Sequence, residues 1–247
     1  MNASYMTGRR PIRKKLPIWL ILTAGVLMGL ATFSFIQLRP AMTRSAAIMS
    51  WIRNPQQYSQ WSIAALEHCG NAPFLFPTDG LVGYLWDDSF RPGHRHQGID
   101  IFSGTKPGIT PVYAAYDGYL SREPDWKSSL IIRVLDDPLM PGRQIWLYYT
   151  HLADPDGNSF IPINFPPGTY EKPVKAGDLL GYQGNYSADS ANPVGVHLHF
   201  SIVKDDGNGR YLNELEIQNT LDPSAYLGLE LNSHVASSQP PVCAGTE

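Results

Sequence analysis

Gly195-Val196-His197-Leu198-His199-Phe200-Ser201 alternates apolar and polar side chains, and a period of two is the period of an extended strand. Val196, Leu198 and Phe200 fall on one face, predicted to be buried, while His197, His199 and Ser201 fall on the other. Two imidazoles side by side on a strand face are costly in a core, because each ring needs hydrogen-bond partners or a metal. A β-sheet with a site on one of its faces is therefore expected.

Two further segments carry histidines in similar settings. In His96-Gln97-Gly98-Ile99-Asp100, positions 96, 98 and 100 share a side if the segment is extended, so His96 and Asp100 can face one cavity with Gly98 leaving room between them. Tyr148-Tyr149-Thr150-His151-Leu152 ends an apolar run that begins Ile145-Trp146-Leu147, the pattern of a strand delivering one histidine to a groove. Nitrogen and carboxylate donors without thiolate suit zinc, and a catalytic zinc site uses three protein ligands and keeps a position open. Five candidate groups exceed three, which leaves some free for proton transfer or charge stabilisation.

Outward from these segments the chain reads as short apolar stretches separated by Gly, Pro, Asn and Asp. Strands are expected at Leu81–Tyr84, Gly98–Phe102, Val112–Ala115, Leu130–Val134, Ile145–His151, Leu179–Gln183 and Val196–Val203. Helical periodicity of useful length is missing between Pro73 and Val203, so a mainly β domain of antiparallel sheet is predicted over 73–228, closed by a last turn near Pro223–Leu227. The segment 39–72 reads as a short helical juxtamembrane stalk and 229–247 as a flexible tail rich in Ser and Pro.

The N-terminus is of different material. Arg9, Arg10, Arg13, Lys14 and Lys15 in the basic segment 1–15 precede an uncharged run of 23 residues, 16–38. As a helix that run would cover roughly 34 Å against a hydrocarbon core of about 30 Å. A transmembrane signal anchor is predicted, with the N-terminus cytoplasmic and the β domain extracytoplasmic, periplasmic or at the cell surface. A cleaved signal peptide is the rival, but its apolar region is usually shorter. Five of the 19 basic residues precede Leu16 and none of the 22 acidic ones does, so the chain from Arg39 carries net −8. Nucleic acid is not expected as a partner of such a surface. Cys69 and Cys243 both fall on the outer side, where a disulfide is permitted but not required.

Taken together, the three histidine segments resemble the lysostaphin-type (LytM-like) zinc metalloendopeptidases. That family is marked by H-x-G-x-D, a later lone histidine after a strand, and H-x-H followed by an aromatic residue. Here these are His96 to Asp100, His151, and His197 to Phe200, in that order. Connecting text matches too, in Gly108 to Ala115, Asp117-Gly118 and Val174 to Gly181, so that the resemblance covers roughly Pro73 to Leu227. It implies that His96, Asp100 and His199 hold one zinc ion per chain. His151 and His197 would be the non-ligand pair at the reacting centre, and peptides of peptidoglycan would be the substrate. A non-hydrolytic cell-wall binding or scaffolding protein that recruits another hydrolase is the alternative.

The chain departs from the family where a Ser-x-Phe-Gly-x-Arg stretch often forms the first wall of the groove; here stand Leu81-Val82-Gly83-Tyr84-Leu85-Trp86 and Asp87-Asp88-Ser89-Phe90-Arg91. The long connection Ala153–Pro173 is expected to border the groove, and Gly184–Pro193 to line its opposite wall. The acid pairs Asp87-Asp88, Asp136-Asp137 and Asp205-Asp206 read as solvated turns, since adjacent acids on a strand face opposite ways. His94 reads as a solvated loop residue, and His68 and His234 are assigned no role.

Overall fold

A computed structural model describes residues 18–88, 93–237 and 239–243, apart from the side chains at 18, 20–21 and 36–43. The chain divides into two units between Arg39 and Pro40. Helix α1 spans Ile18–Arg53. The strands are β1 (Ser62–Ile63), β2 (Gly80–Tyr84), β3 (Ile99–Phe102), β4 (Pro111–Tyr113), β5 (Gly118–Ser121), β6 (Leu130–Val134), β7 (Ile145–Thr150), β8 (Lys172–Val174), β9 (Leu179–Tyr182), β10 (Leu198–Lys204) and β11 (Thr220–Leu221), and a single helical turn, α2, covers Ser224–Leu227.

All seven expected strands form, within one or two residues at their ends. They build an antiparallel sheet in the order β1-β2-β3-β10-β7-β6-β5-β8, with β11 also on β10 and β4 pairing β9 in a separate ribbon. The central strand is β10. It pairs β3 over Leu198–Phe200 and β11 over Ile202–Val203, and it pairs β7 from His199 to Lys204.

Parity decides the faces. Ile99, Ile101, Leu147, Tyr149, Leu198, Phe200 and Ile202 are fully buried in the main core, and the residues that alternate with them on these strands, Asp100, Tyr148, Thr150, His199 and Ser201, turn to the other face. Tyr149 is anchored in that core by its hydroxyl, which accepts the Ala115 N–H at 2.9 Å. Burial pushes its hydroxyl pKa up. One glycine has to be a glycine for the strands to meet: a Cβ at Gly98 would lie 2.2 Å from the Phe200 carbonyl oxygen.

Several boundaries differ from expectation. Helix α1 stops at Arg53 ahead of Pro55, and β1 then pairs β2, so the predicted stalk over 39–72 is helical only in its first part and joins the sheet in its last. The predicted tail is packed rather than loose through its first residues. Leu229 and Leu231 are buried, the Trp86 backbone N–H donates to the Leu231 carbonyl, and Cys243 is bonded to Cys69. Two buried leucines, a backbone hydrogen bond and a covalent bridge hold the segment against the chain entropy that the Ser- and Pro-rich composition suggested.

The basic segment 1–15 lies outside the described residues. The expected anchor over 16–38 finds no support: among the described residues no helix is long and apolar enough to cross a membrane. Residues 16 and 17 are not described, nor are the side chains at 18, 20–21 and 36–38. In the described part, Trp19, Leu22, Val26, Leu27, Met28, Leu30, Phe33 and Phe35 are all exposed.

Candidate active site

The register of three strands assembles the site. His199 stands opposite Asp100 of β3 on one side and opposite Thr150 of β7 on the other. His151 follows Thr150 directly, in a left-handed backbone conformation (φ 69°) that is uncommon for a residue with a side chain. Such strain persists where surrounding structure holds it, and sites are where it concentrates. His96 and His197 precede β3 and β10 rather than lying within them. His197 is nonetheless held extended by a bridge to Gly184.

Three donor atoms meet at one point. His96 Nε2 lies 3.0 Å from Asp100 Oδ1 and 3.1 Å from His199 Nδ1, and His199 Nδ1 lies 2.8 Å from Asp100 Oδ1. All three residues are buried. Ligands about 2.0–2.1 Å from a tetrahedral zinc are separated by about 3.3 Å, so the observed triangle needs to open by only a few tenths of an ångström. Two nitrogens and one carboxylate oxygen, without thiolate, are also the donor set that zinc accepts. The residues present fit the ion.

The far side of each ring is what makes the arrangement specific. His96 donates Nδ1–H to the Leu85 carbonyl at 2.9 Å, which leaves Nε2 as the lone-pair nitrogen at the triangle. His199 Nε2 meets the carboxylate of Glu214 at 2.9 Å, which leaves Nδ1 at the triangle. Outer partners of this kind fix tautomer and ring orientation in metal sites. His151 donates Nδ1–H to the Tyr186 carbonyl at 2.6 Å and His197 donates Nδ1–H to the Gly195 carbonyl at 2.6 Å. Carbonyl oxygens can only accept, so in both rings Nε2 is the nitrogen without its own proton when the ring is neutral.

Electrostatics separates the same groups. Burial works against charge on His199, but the hydrogen bonds and charges of Asp100 and Glu214 outweigh it and raise its pKa to about 10. Burial would raise Asp100, yet its histidine neighbours hold it well below the ordinary carboxylate range. Burial, reinforced by the neighbouring histidines, pushes His151 down to about 3, and burial also lowers His197. Burial outweighs the pull of Asp100 on both rings, so His151 and His197 are neutral at ordinary pH, and the negative charge is concentrated where a cation would sit.

His151 and His197 stand together, ring centroids 4.4 Å apart, and His197 Nε2 is 3.6 Å from Asp100 Oδ1. All five predicted residues line one cavity of about 1100 Å³. Tyr186, Ser187 and Ala188 line it as well, in keeping with the expectation for 184–193. No residue of 153–173 lines it. That connection spends Ile161 and Phe165 in the core and backs the cavity wall from behind, its Ala153 carbonyl accepting the Asn185 N–H at 2.9 Å.

Glu214 is the candidate site residue that sequence reading missed. It lies in an irregular segment after β10, with Ser201 Oγ also donating to its Oε1 at 3.2 Å, and no periodicity or motif points to it. The acid pairs were misread in part. Asp87, Asp88 and Asp137 are buried and bound to Arg95, Arg44 and Arg143 respectively, so they pin loops rather than face water; Asp136 and Asp206 are exposed as expected. His94 is half-buried and lines the cavity. His234 bonds Asp87 at 2.6 Å.

No family model matches the chain, and no curated protein sequence matches it. Among solved structures, it is similar to the catalytic domain of the antimicrobial peptidase lysostaphin from Staphylococcus simulans, at 20% identity and TM-score 0.38, over 66% of this chain and 99% of that one. Full lysostaphin matches at 19% identity and TM-score 0.37, over 67% of this chain and 55% of that one, so the chain spans about half its length. A mutant catalytic domain of the prophage-encoded M23 protein EnpA from Enterococcus faecalis matches at 22% identity and TM-score 0.36, over 60% of this chain and 95% of that one. At such identities and scores, function has to be read from the site's own residues.

Proposed function

We propose that this chain is a zinc-dependent endopeptidase that hydrolyses peptide bonds in peptidoglycan, with His96, Asp100 and His199 as metal ligands and His151 and His197 as the catalytic pair. The observation that carries the proposal is the convergence of three buried donor atoms within 3.1 Å of one another beside two histidines pinned through Nδ1. Zinc, when bound, supplies Lewis acidity toward water and the scissile carbonyl. The chain's own residues do the rest.

Leu85 and Glu214 hold the ligand rings in the tautomers that present a lone pair. His151 and His197 each offer an Nε2 that carries no proton while the ring is neutral: one accepts the attacking water's proton there, and the imidazolium N–H so formed can support the oxyanion and then give that same proton to the leaving amine. Their neutrality, imposed by burial, lets either begin as acceptor. The choice of peptidoglycan rests on the resemblance of the three motifs to lysostaphin-type peptidases. We further propose that the domain works outside the cytoplasm, supported by the Cys69–Cys243 bridge, since disulfides persist in oxidising compartments.

Incubating the zinc-loaded chain with purified peptidoglycan and sequencing released fragments by mass spectrometry tests the activity. New peptide termini are expected, with the rate cut about 10²-fold to 10⁴-fold in His151→Ala. Fragments that differ only in glycan length, or none at all, would overturn the reading and favour a wall-binding scaffold.

A further inference from the structure

One wall of the cavity comes from outside the domain that the sequence motifs delimit. The last turns of α1 lie against β2 and β3. Arg44 grips the buried Asp88 through Nε and Nη2 at 2.7 and 2.6 Å. Ser45 Oγ and Tyr84 Oη share a hydrogen bond at 3.1 Å, and Trp51 Nε1 donates to Ser62 Oγ at 3.0 Å. Ile48 and Trp51 are 5% and 3% exposed and pack with Leu81 and Phe102. Two glycines clear the seat: a Cβ at Gly83 would lie 2.6 Å from Ile48 Cδ1, and one at Gly104 would lie 2.8 Å from the Trp51 ring.

A helix held by a buried bidentate ion pair, two hydrogen bonds and a glycine-floored apolar seat is a built contact. One stripe of the same helix faces the site. Met49 and Ile52 are 48% and 40% exposed, and with Ser45 and Ile48 they line the cavity that holds the five site residues. Positions 45, 48, 49 and 52 form a single helical stripe.

The chemistry of the lining indicates what this wall accepts. Among the described residues the cavity has no Lys or Arg, and its two carboxylates, Asp100 and Glu214, are both engaged by His199. A charged group brought against Met49 and Ile52 would lose water and find no free opposite charge among the described lining residues. An uncharged segment would lose little and bury apolar surface.

We propose that Arg44–Arg53 is a specificity wall of the active site, with Met49 and Ile52 binding an uncharged stretch of the substrate peptide beside the cleaved bond. The proposal rests on the peptidase reading and names the substrate character that reading leaves open. Ile48 and Trp51 are the seat, and they pack on Phe102, whose ring stacks on His197 at 5.0 Å. Changes there would disturb the catalytic pair, so the test belongs at the exposed positions.

The probes are one fluorescent peptidoglycan stem peptide with its carboxylates amidated and the same peptide with them free. Binding by anisotropy and cleavage kinetics are measured on the full zinc-loaded chain in mild detergent. M49D/I52D should weaken binding of the amidated peptide at least tenfold and act through KM with kcat held, while zinc content and Tm stay at parent values. M49K/I52K should shift preference toward the free-carboxylate peptide at least tenfold. Variants that bind and cleave both peptides as the parent does, or a parent that binds neither, would overturn the wall. A parent that binds the peptides and cleaves neither contradicts the hydrolytic function alone, and the comparison of binding between parent and variants still decides the wall.

Discussion

At the scale of the residue, the site is a set of rings whose orientation is fixed from behind. His96, His151 and His197 each spend Nδ1–H on a carbonyl, and His199 alone spends its outer nitrogen on a carboxylate. That difference has a measurable consequence. With its pKa raised to about 10 in the metal-free chain, His199 is protonated at neutrality, so a metal must displace a proton from it. Zinc affinity should therefore rise with pH by about tenfold per unit between roughly pH 7 and 9, and calorimetry in buffers of different ionisation enthalpy should show proton release. Glu214→Gln removes one of the two carboxylates that hold that proton, so it should flatten the slope. It should also lower zinc affinity by about 10-fold to 100-fold, the usual scale for an outer-shell partner. An unchanged affinity would mean that the Glu214 contact is incidental. Which of the five residues would hold metal came only from the family resemblance; the shared faces of His96 with Asp100 and of His197 with His199 were legible in spacings of four and two, and His151 was legible at the end of an apolar run. Glu214 was not, because its contact with His199 is made by an irregular loop, 15 positions along the chain, whose path no local pattern specifies.

At the scale of the element, alternation in 196–203 identified the central strand, and the pairs His199 with Asp100 and His199 with Thr150 follow once its neighbours are β3 and β7. The strands missed from sequence are β1, β5, β8 and β11, of two to four residues. Their cause is tertiary: such short stretches, with Gly118 and Pro173 among them, pair because a neighbour offers an edge, not because of any period of their own. Parity also placed His96 and Asp100 on one side, although β3 begins only at Ile99. What holds the approach to β3 is the closeness of Gly98 to the Phe200 carbonyl. Gly98→Ala should force β3 and β10 apart, lowering Tm and abolishing zinc retention together. A folded, zinc-loaded Gly98→Ala with parental Tm would show that the backbone there gives freely.

At the scale of the whole molecule, the second unit begins at Pro40 and reaches the C-terminal segment, well beyond the domain that motifs alone suggest. Composition alone made 229–247 resemble a solvated tail, while the bridge between Cys69 and Cys243, 174 positions apart, was permitted by the sequence but not required by it. A loop of that length should contribute on the order of 5 kcal/mol through the unfolded chain's entropy, in the chain-entropy account. Cys243→Ser should therefore lower Tm by several degrees with zinc content unchanged, whereas a parental Tm would mean that the bridge restrains little. The central claim concerns the division of labour among five residues, and zinc stoichiometry of purified variants by mass spectrometry tests it most directly. One zinc per folded chain is predicted for the parent and for His151→Ala, with loss of the metal in His199→Ala. A folded parent without zinc, or equal loss in His151→Ala and His199→Ala, would contradict it.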